Sequence, residues 1–276
     1  MELKPYFSSV NECGQRSNNE DSIIHGELAE QKGYFFVICD GVGGVAKGEV
    51  ASELACEKTK EYLQNNISDS YNQDYLYNMV DFIENEFDNY TNQYPETKGM
   101  ATTMALLILH LGKAIIVHIG DSRVYHIRND KILFSTQDHS LVNELVKSGV
   151  ITKKEALTHP QRNVVTRALQ GKHAKPVKAD VHIIDRIENL DYFFLCSDGI
   201  TESIPDIQLK EILSKKWYNK MKMNAIKEKC KELSKDNYSA FLVQILFQKT
   251  ELKQEQLSKS KCYEFIIKNF KKHFLF

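Results

Sequence analysis

The sequence predicts an α+β fold, with antiparallel strands gathered into layers and helices set apart in blocks. Three observations lead there. Strand-like segments crowd together between residues 102 and 135, joined by short hairpin turns. Helical periodicity occupies separate stretches before and after them, so the pattern is not an alternating βαβ one. The strongest strands are unbroken apolar runs ending in an acidic, glycine-containing turn. One is Val37-Ile38-Cys39 before Asp40-Gly41-Val42-Gly43-Gly44, and another is Tyr192–Cys196 before Ser197-Asp198-Gly199.

In chain order, residues 21–27 and 33–39 read as paired strands, the first in the sequence. Residues 48–65 carry Val50, Ala51, Leu54, Ala55 and Leu63 on one helical face, and 71–90 repeat the pattern with Leu76, Met79, Val80, Ile83 and Phe87. Residues 94–99 form a loop. Strands follow at 102–110, 114–120, 123–128 and 131–135, with turns at Leu111-Gly112-Lys113 and Asn129-Asp130. The polar stretch 138–175 is helical in pieces and broken at His159-Pro160. Strand character returns at 180–185, 192–197 and 239–247, with helices at 206–216 and 221–234.

Composition narrows the function classes. Lys plus Arg number 36 and Asp plus Glu 37, a net charge of −1, so no basic field invites nucleic acid. The longest apolar run, Met104 to Leu109, is too short to span a bilayer, and no apolar stretch behind a basic start marks a signal peptide. The cysteines at 13, 39, 56, 196, 230 and 262 are scattered, with no C-x-x-C pair. They read as reduced thiols of a cytoplasmic protein, and none has the following arginine of a phosphate-cradling cysteine nucleophile.

The acidic turns carry the chemistry. A carboxylate at the mouth of a sheet is costly to desolvate unless a cation meets it, and a following glycine lets the backbone turn close to a ligand. Besides Asp40 and Asp198 there are Gly120-Asp121-Ser122-Arg123 after an apolar strand and Asp236-Asn237 before the last one. The leader Arg16-Ser17-Asn18-Asn19-Glu20-Asp21 adds two acids and an arginine, the side chain best shaped to fork a phosphate. Any one of these is a common turn; four acidic turns at strand edges plus this leader suggest an oxygen-rich nest for hard divalent cations. A nucleotide-binding loop is excluded at 41–48, which lacks the G-x-x-x-x-G-K-[ST] spacing.

Taken in order, Arg16…Asn19-Glu20-Asp21, Asp40-Gly41-Val42-Gly43-Gly44, Gly99-Met100-Ala101-Thr102-Thr103, Gly120-Asp121-Ser122-Arg123, Ser197-Asp198-Gly199 and Asp236-Asn237 resemble the metal-dependent PP2C (PPM) protein serine/threonine phosphatases. The likeness is to the bacterial branch. Asp138-His139-Ser140-Leu141-Val142 through Arg167-Ala168-Leu169 is similar to that branch's flap. The resemblance covers about residues 8–247. It implies a central β-sandwich of two antiparallel sheets with α-helices on both outer faces, as a domain over 1–250 with a flap at about 138–175. It implies two Mn²⁺ or Mg²⁺ ions held by Asp40, the Gly41 carbonyl, Asp198 and Asp236, with Asp21 and Glu20 acting largely through water. Arg16 would grip the phosphate, and Asp121 with Asp198 would hold a third, weaker ion, with Asn237 as an accessory. The expected reaction is hydrolysis of phosphoserine and phosphothreonine by a metal-bridging water, without a covalent intermediate. Expected partners are phosphoproteins that a cognate kinase produces.

Val42 stands where many family members have a proposed proton-donating histidine. Metal-bound water and His139 are the alternatives, His139 against the commoner reading of a structural histidine. An inactive, phosphoprotein-binding relative would have lost metal ligands, and every matched position here keeps its acid. A small phosphomonoester is the other substrate alternative. Beyond the resemblance, 251–276 carries six Lys and three Glu, with Tyr263, Ile266, Ile267, Phe270 and Phe274 on one helical face. That basic amphipathic tail is expected to pack on its own or a neighbouring subunit, the alternative being a partner protein or an anionic membrane surface.

Overall fold

The computed structural model describes residues 2–31, 33–42, 47–173 and 176–248. Gly43, Gly44 and the whole predicted tail helix lie outside the described residues. The strands are β1 (Glu2–Leu3), β2 (Tyr6–Glu12), β3 (Asp21–Glu27), β4 (Gly33–Asp40), β5 (Met104–His110), β6 (Lys113–Ile119), β7 (Arg123–Arg128), β8 (Lys131–Ser135), β9 (Asp180–Ile184), β10 (Tyr192–Cys196), β11 (Tyr238–Gln244) and β12 (Phe247–Gln248). The helices are α1 (Gly48–Asn65), α2 (Gln73–Gln93), α3 (Leu141–Lys147), α4 (Lys153–Ala156), α5 (Asp198–Ser203), α6 (Asp206–Ser214) and α7 (Asn219–Leu233). One sheet has the order β3-β4-β5-β6-β9 and the other β2-β11-β10-β7-β8, with every pairing antiparallel.

The unbroken apolar strands are explained by burial on both faces. In β4, Phe36 and Ile38 point between the sheets, while Phe35, Val37 and Cys39 point at α1 and α2. In β10, Phe193 and Leu195 enter the inter-sheet core while Phe194 and Cys196 meet α5, α6 and α7. β11 divides the same way, Phe241 and Val243 inward, Ala240 and Leu242 outward. The side-chain period of two thus feeds two cores at once, which produces the expected helix–sheet–sheet–helix sandwich.

The elements not foreseen include β1, β2 and α5. β2 is a strand in the segment read as lying before the first one. It sits at a sheet edge against β11, and of its residues only Val10 is buried, so it offers no apolar alternation to read. α5 begins at Asp198 itself, where only a turn was expected. The strand cluster at 102–135 is not one meander either. Gly120–Ser122 carries the chain from β6 in one sheet to β7 in the other. No helix among the described residues is long and apolar enough to cross a membrane.

Candidate metal centre

The sandwich gathers the acidic turns at one end. Asp21 opens β3 and Asp40 closes β4, opposite each other in register. Asp198 follows β10, and Asp236 precedes β11, the neighbour of β10. Ser197 Oγ donates to Asp21 Oδ2 at 2.7 Å, tying the end of one sheet to the start of a strand in the other. Asp121 lies in the crossover between sheets.

Hydroxyls and backbone hold these turns. Thr102 Oγ1 and the Thr103 amide both donate to the Asp40 carbonyl at 2.8 Å, and the Asp40 amide donates to Thr103 Oγ1 at 3.0 Å. Thr103 Oγ1 also meets Ser122 Oγ at 2.7 Å, so the Asp40 and Asp121 turns share one threonine. Gly41 is needed for close approach: a Cβ there would run into the backbone of Gly48 at the start of α1. Asn237 staples down the leader. Its Nδ2 donates to the Cys13 and Asn18 carbonyls, and its Oδ1 accepts from the Glu20 amide, each at 2.8 Å. Arg16 Nη2 donates to Asp236 Oδ2 at 2.7 Å, an exposed ion pair at the rim.

The electrostatics of the cluster call for a cation. Burial, then the charges of Asp21, Asp198, Asp121 and Asp236, push the Asp40 carboxyl well above the usual carboxylate range. Asp198 rises likewise through burial and then Asp121, Glu202, Asp236 and Asp21. Asp21 is raised to about 6, mainly by burial, and Asp121 to about 7, by burial and then Asp138. Glu20 is raised by burial and by Glu49. Among the described residues, Asp21, Asp40, Asp121 and Asp198 have no ion-pair partner. Asp21 Oδ1 is buried with no hydrogen-bond partner. Carboxylates crowded this way repel one another and are stabilised by cations, and an all-oxygen donor set suits Mg²⁺ or Mn²⁺. The residues fit the expected ions.

His139 is placed differently from the proton-donor expectation. Its Nδ1 accepts from the Gly120 amide at 3.1 Å, so Nε2 carries the proton and donates to Asp180 Oδ2 at 3.1 Å. Both ring nitrogens are engaged, and burial holds the imidazole below its ordinary range. His118, His139 and Asp180 present potential ligand atoms within 4.8 Å of one another. Arg167 already sits there, its Nη1 3.0 Å from Asp180 Oδ1. A protonated Nε2 and a guanidinium leave that group suited to fixing a turn rather than to binding a cation. Thr102, Thr103, Ser122 and Ser197 are supports that the motifs alone do not mark as such. Their only signal was that each is a hydroxyl residue within or beside an acidic or glycine-containing motif.

The family model for Protein phosphatase 2C matches residues 13–246. The chain belongs to the PP2C family. Protein phosphatase PhpP of Streptococcus pneumoniae is 34% identical over 212 residues, 75% of this chain and 84% of that protein. The crystal structure of the serine/threonine phosphatase Stp1 from Staphylococcus aureus superposes with a TM-score of 0.79 at 31% identity, covering 90% of this chain and 96% of Stp1. The catalytic domain of the serine/threonine protein phosphatase PstP, solved with two manganese ions, gives a TM-score of 0.75 at 25% identity, covering 89% of this chain and 100% of that domain. The PP2C motifs therefore lie on a PP2C fold, of the bacterial type.

Proposed function

We propose that this PP2C-family chain is a Mn²⁺- or Mg²⁺-dependent phosphatase that removes phosphate from phosphoserine and phosphothreonine in proteins. One observation carries the reading: Asp21, Asp40, Asp198 and Asp236, drawn from both sheets, converge where the described residues supply one rim arginine and no buried cation. Asp40, the Gly41 carbonyl, Asp198 and Asp236 would hold two ions, with Asp21 and Glu20 reaching them largely through water. Asp121 with Asp198 would hold a third. Such ions supply, when bound, a deprotonated water as nucleophile and positive charge for the phosphoryl oxygens. The chain's own residues do the rest. Arg16, half-exposed and turned to the same rim, is positioned to fork the substrate phosphate. Thr102 and Thr103 hold the Asp40 backbone and Ser197 holds the Asp21 carboxylate. Val42 has no proton to give and His139 is committed elsewhere, so the leaving group draws its proton from solvent at the site. Cys39 and Cys196, beside the acidic turns, are not suited to act as nucleophiles: both are buried, and burial raises their thiols above the ordinary range.

The phosphatase domain spans 1–250, with 138–175 as a flap beside the site and 251–276 as a non-catalytic tail. The substrates are phosphoproteins made by a cognate kinase in the cytoplasm, where free thiols such as Cys13 and Cys56 persist. The test is hydrolysis of a phosphothreonine peptide beside a phosphotyrosine peptide, each with Mn²⁺ and with chelator. Mn²⁺-dependent cleavage of the first and little of the second is expected. Full activity after exhaustive chelation would refute the reading, and a preference for a small phosphomonoester over the peptide would correct the substrate class.

A further inference from the structure

The turn that carries Asp121 is gripped from behind by a group of residues with no part in the chemistry above. Gly120 has φ +99°, a left-handed conformation that favours glycine, and a Cβ there would strike the Thr103 side chain. His139 binds both faces of this one residue. Its backbone amide donates to the Gly120 carbonyl at 2.7 Å, and its Nδ1 accepts from the Gly120 amide at 3.1 Å. The ring is oriented in turn by Asp180, and Asp180 is held by Arg167. His118, buried, packs with its ring centroid 4.6 Å from that of His139. The His139 carbonyl accepts from the Thr166 amide at 2.7 Å, one residue before Arg167. The relay therefore runs from 166–167, at the return of the flap, to the peptide that precedes Asp121.

We propose that His139, oriented by Asp180 and Arg167, is a positioning residue that sets the Asp121 carboxylate for its metal ion. This rests on the reading of Asp121 as a metal ligand. An acceptor fixed on the Gly120 amide holds the peptide plane, and with it the direction of the following side chain. Residues outside a metal's own ligands that orient those ligands commonly change affinity by about 10- to 100-fold when removed. The charge of Asp180 keeps the proton on Nε2 and so keeps Nδ1 an acceptor.

The experiment compares full-length wild type, His139→Ala, His139→Asn, Asp180→Asn and Asp121→Ala. Two quantities are read: amide exchange at Gly120 by NMR in the metal-free protein, and Mn²⁺ affinity by calorimetry at the weakest site. In His139→Asn the amide oxygen can take the place of Nδ1. His139→Ala should speed Gly120 exchange and weaken the weak site by about tenfold or more, and His139→Asn should restore both most of the way. Asp180→Asn, at an exposed position that leaves the core untouched, should give a smaller loss in the same direction. Unchanged weak-site affinity in both His139→Ala and Asp180→Asn, with Asp121→Ala impaired, would overturn the positioning role. Unchanged affinity in Asp121→Ala would instead overturn the reading of Asp121 on which it rests.

Discussion

Strand β10 has an aspartate at each end, and the two live in opposite electrostatic worlds. Asp191, just before the strand, is buried, and burial alone would raise its carboxyl. Arg128 forks it at 2.7 and 2.8 Å, His126 meets it at 3.0 Å and the Glu188 amide donates to it at 2.8 Å. Those partners win, and the group lies well below the usual carboxylate range. Asp198, just past the other end, has no ion-pair partner among the described residues, sits among four further acids and is raised instead. The same residue type beside the same strand is paired by the protein in one place and, among the described residues, left without an ion-pair partner in the other. That contrast separates a structural aspartate from a proposed metal ligand more firmly than burial does.

The largest way to test the contrast is to remove charge from each end. Asp198→Asn, like Asp40→Asn, should lower turnover at least about 10²-fold, because each would take a ligand charge from the proposed metal centre. Neither should lower the melting temperature of the metal-free protein, since each relieves repulsion. Arg128→Ala should do the reverse. It strands a buried carboxylate and should cost about 3 kcal/mol of stability, read by denaturant unfolding, while Mn²⁺-dependent turnover per folded molecule survives. Equal effects of Asp198→Asn and Arg128→Ala on both readouts would erase the distinction.

A third test concerns the rim. Arg16→Ala should reduce kcat/KM by about 1–3 kcal/mol, the scale of a charge-assisted hydrogen bond, and leave tight-site Mn²⁺ affinity nearly unchanged. Steady-state kinetics with a parallel metal titration would decide it.

The smallest effect per step is in pH. Asp21 and Asp121 titrate at about 6 and about 7 in the folded protein and near 3.9 when unfolded. Over that interval the native state binds more protons than the unfolded one, so metal-free stability should fall as pH rises from about 4 to about 7. The slope is at most about 1.4 kcal/mol per pH unit for each group. Asp191 has the opposite sign: its depressed group contributes stability above the unfolded value that is lost as pH falls. Mn²⁺ should therefore stabilise the protein more at pH 7.5 than at pH 5, and melting curves at the two pH values measure that difference. Equal Mn²⁺ stabilisation at both would contradict the proton–metal competition.

Much of this was legible in the sequence, for a physical reason. Strands buried on both faces must be apolar throughout, so Val37–Cys39 and Tyr192–Cys196 announced themselves, and each acid closing such a run stood out against it. β2 was not legible because an edge strand with one buried side chain leaves no pattern. Nor was the role of His139, because a ring nitrogen accepting from an amide across 19 residues depends on the crossover at Gly120 bringing the two together. Asp191, outside every motif, gave no sign of its ion pair. Its arginine lies 63 residues away on β7, beside β10 only because the sheet places it there.

The most direct measurement is the Mn²⁺ stoichiometry of the metal-free full chain, by equilibrium dialysis at neutral pH, for wild type, Asp198→Asn and Arg128→Ala under conditions where all three are folded. At least two ions on wild type, fewer on Asp198→Asn and the wild-type number on Arg128→Ala are predicted. A wild type that binds no Mn²⁺, or an Asp198→Asn variant that binds as many ions as wild type, would contradict the account.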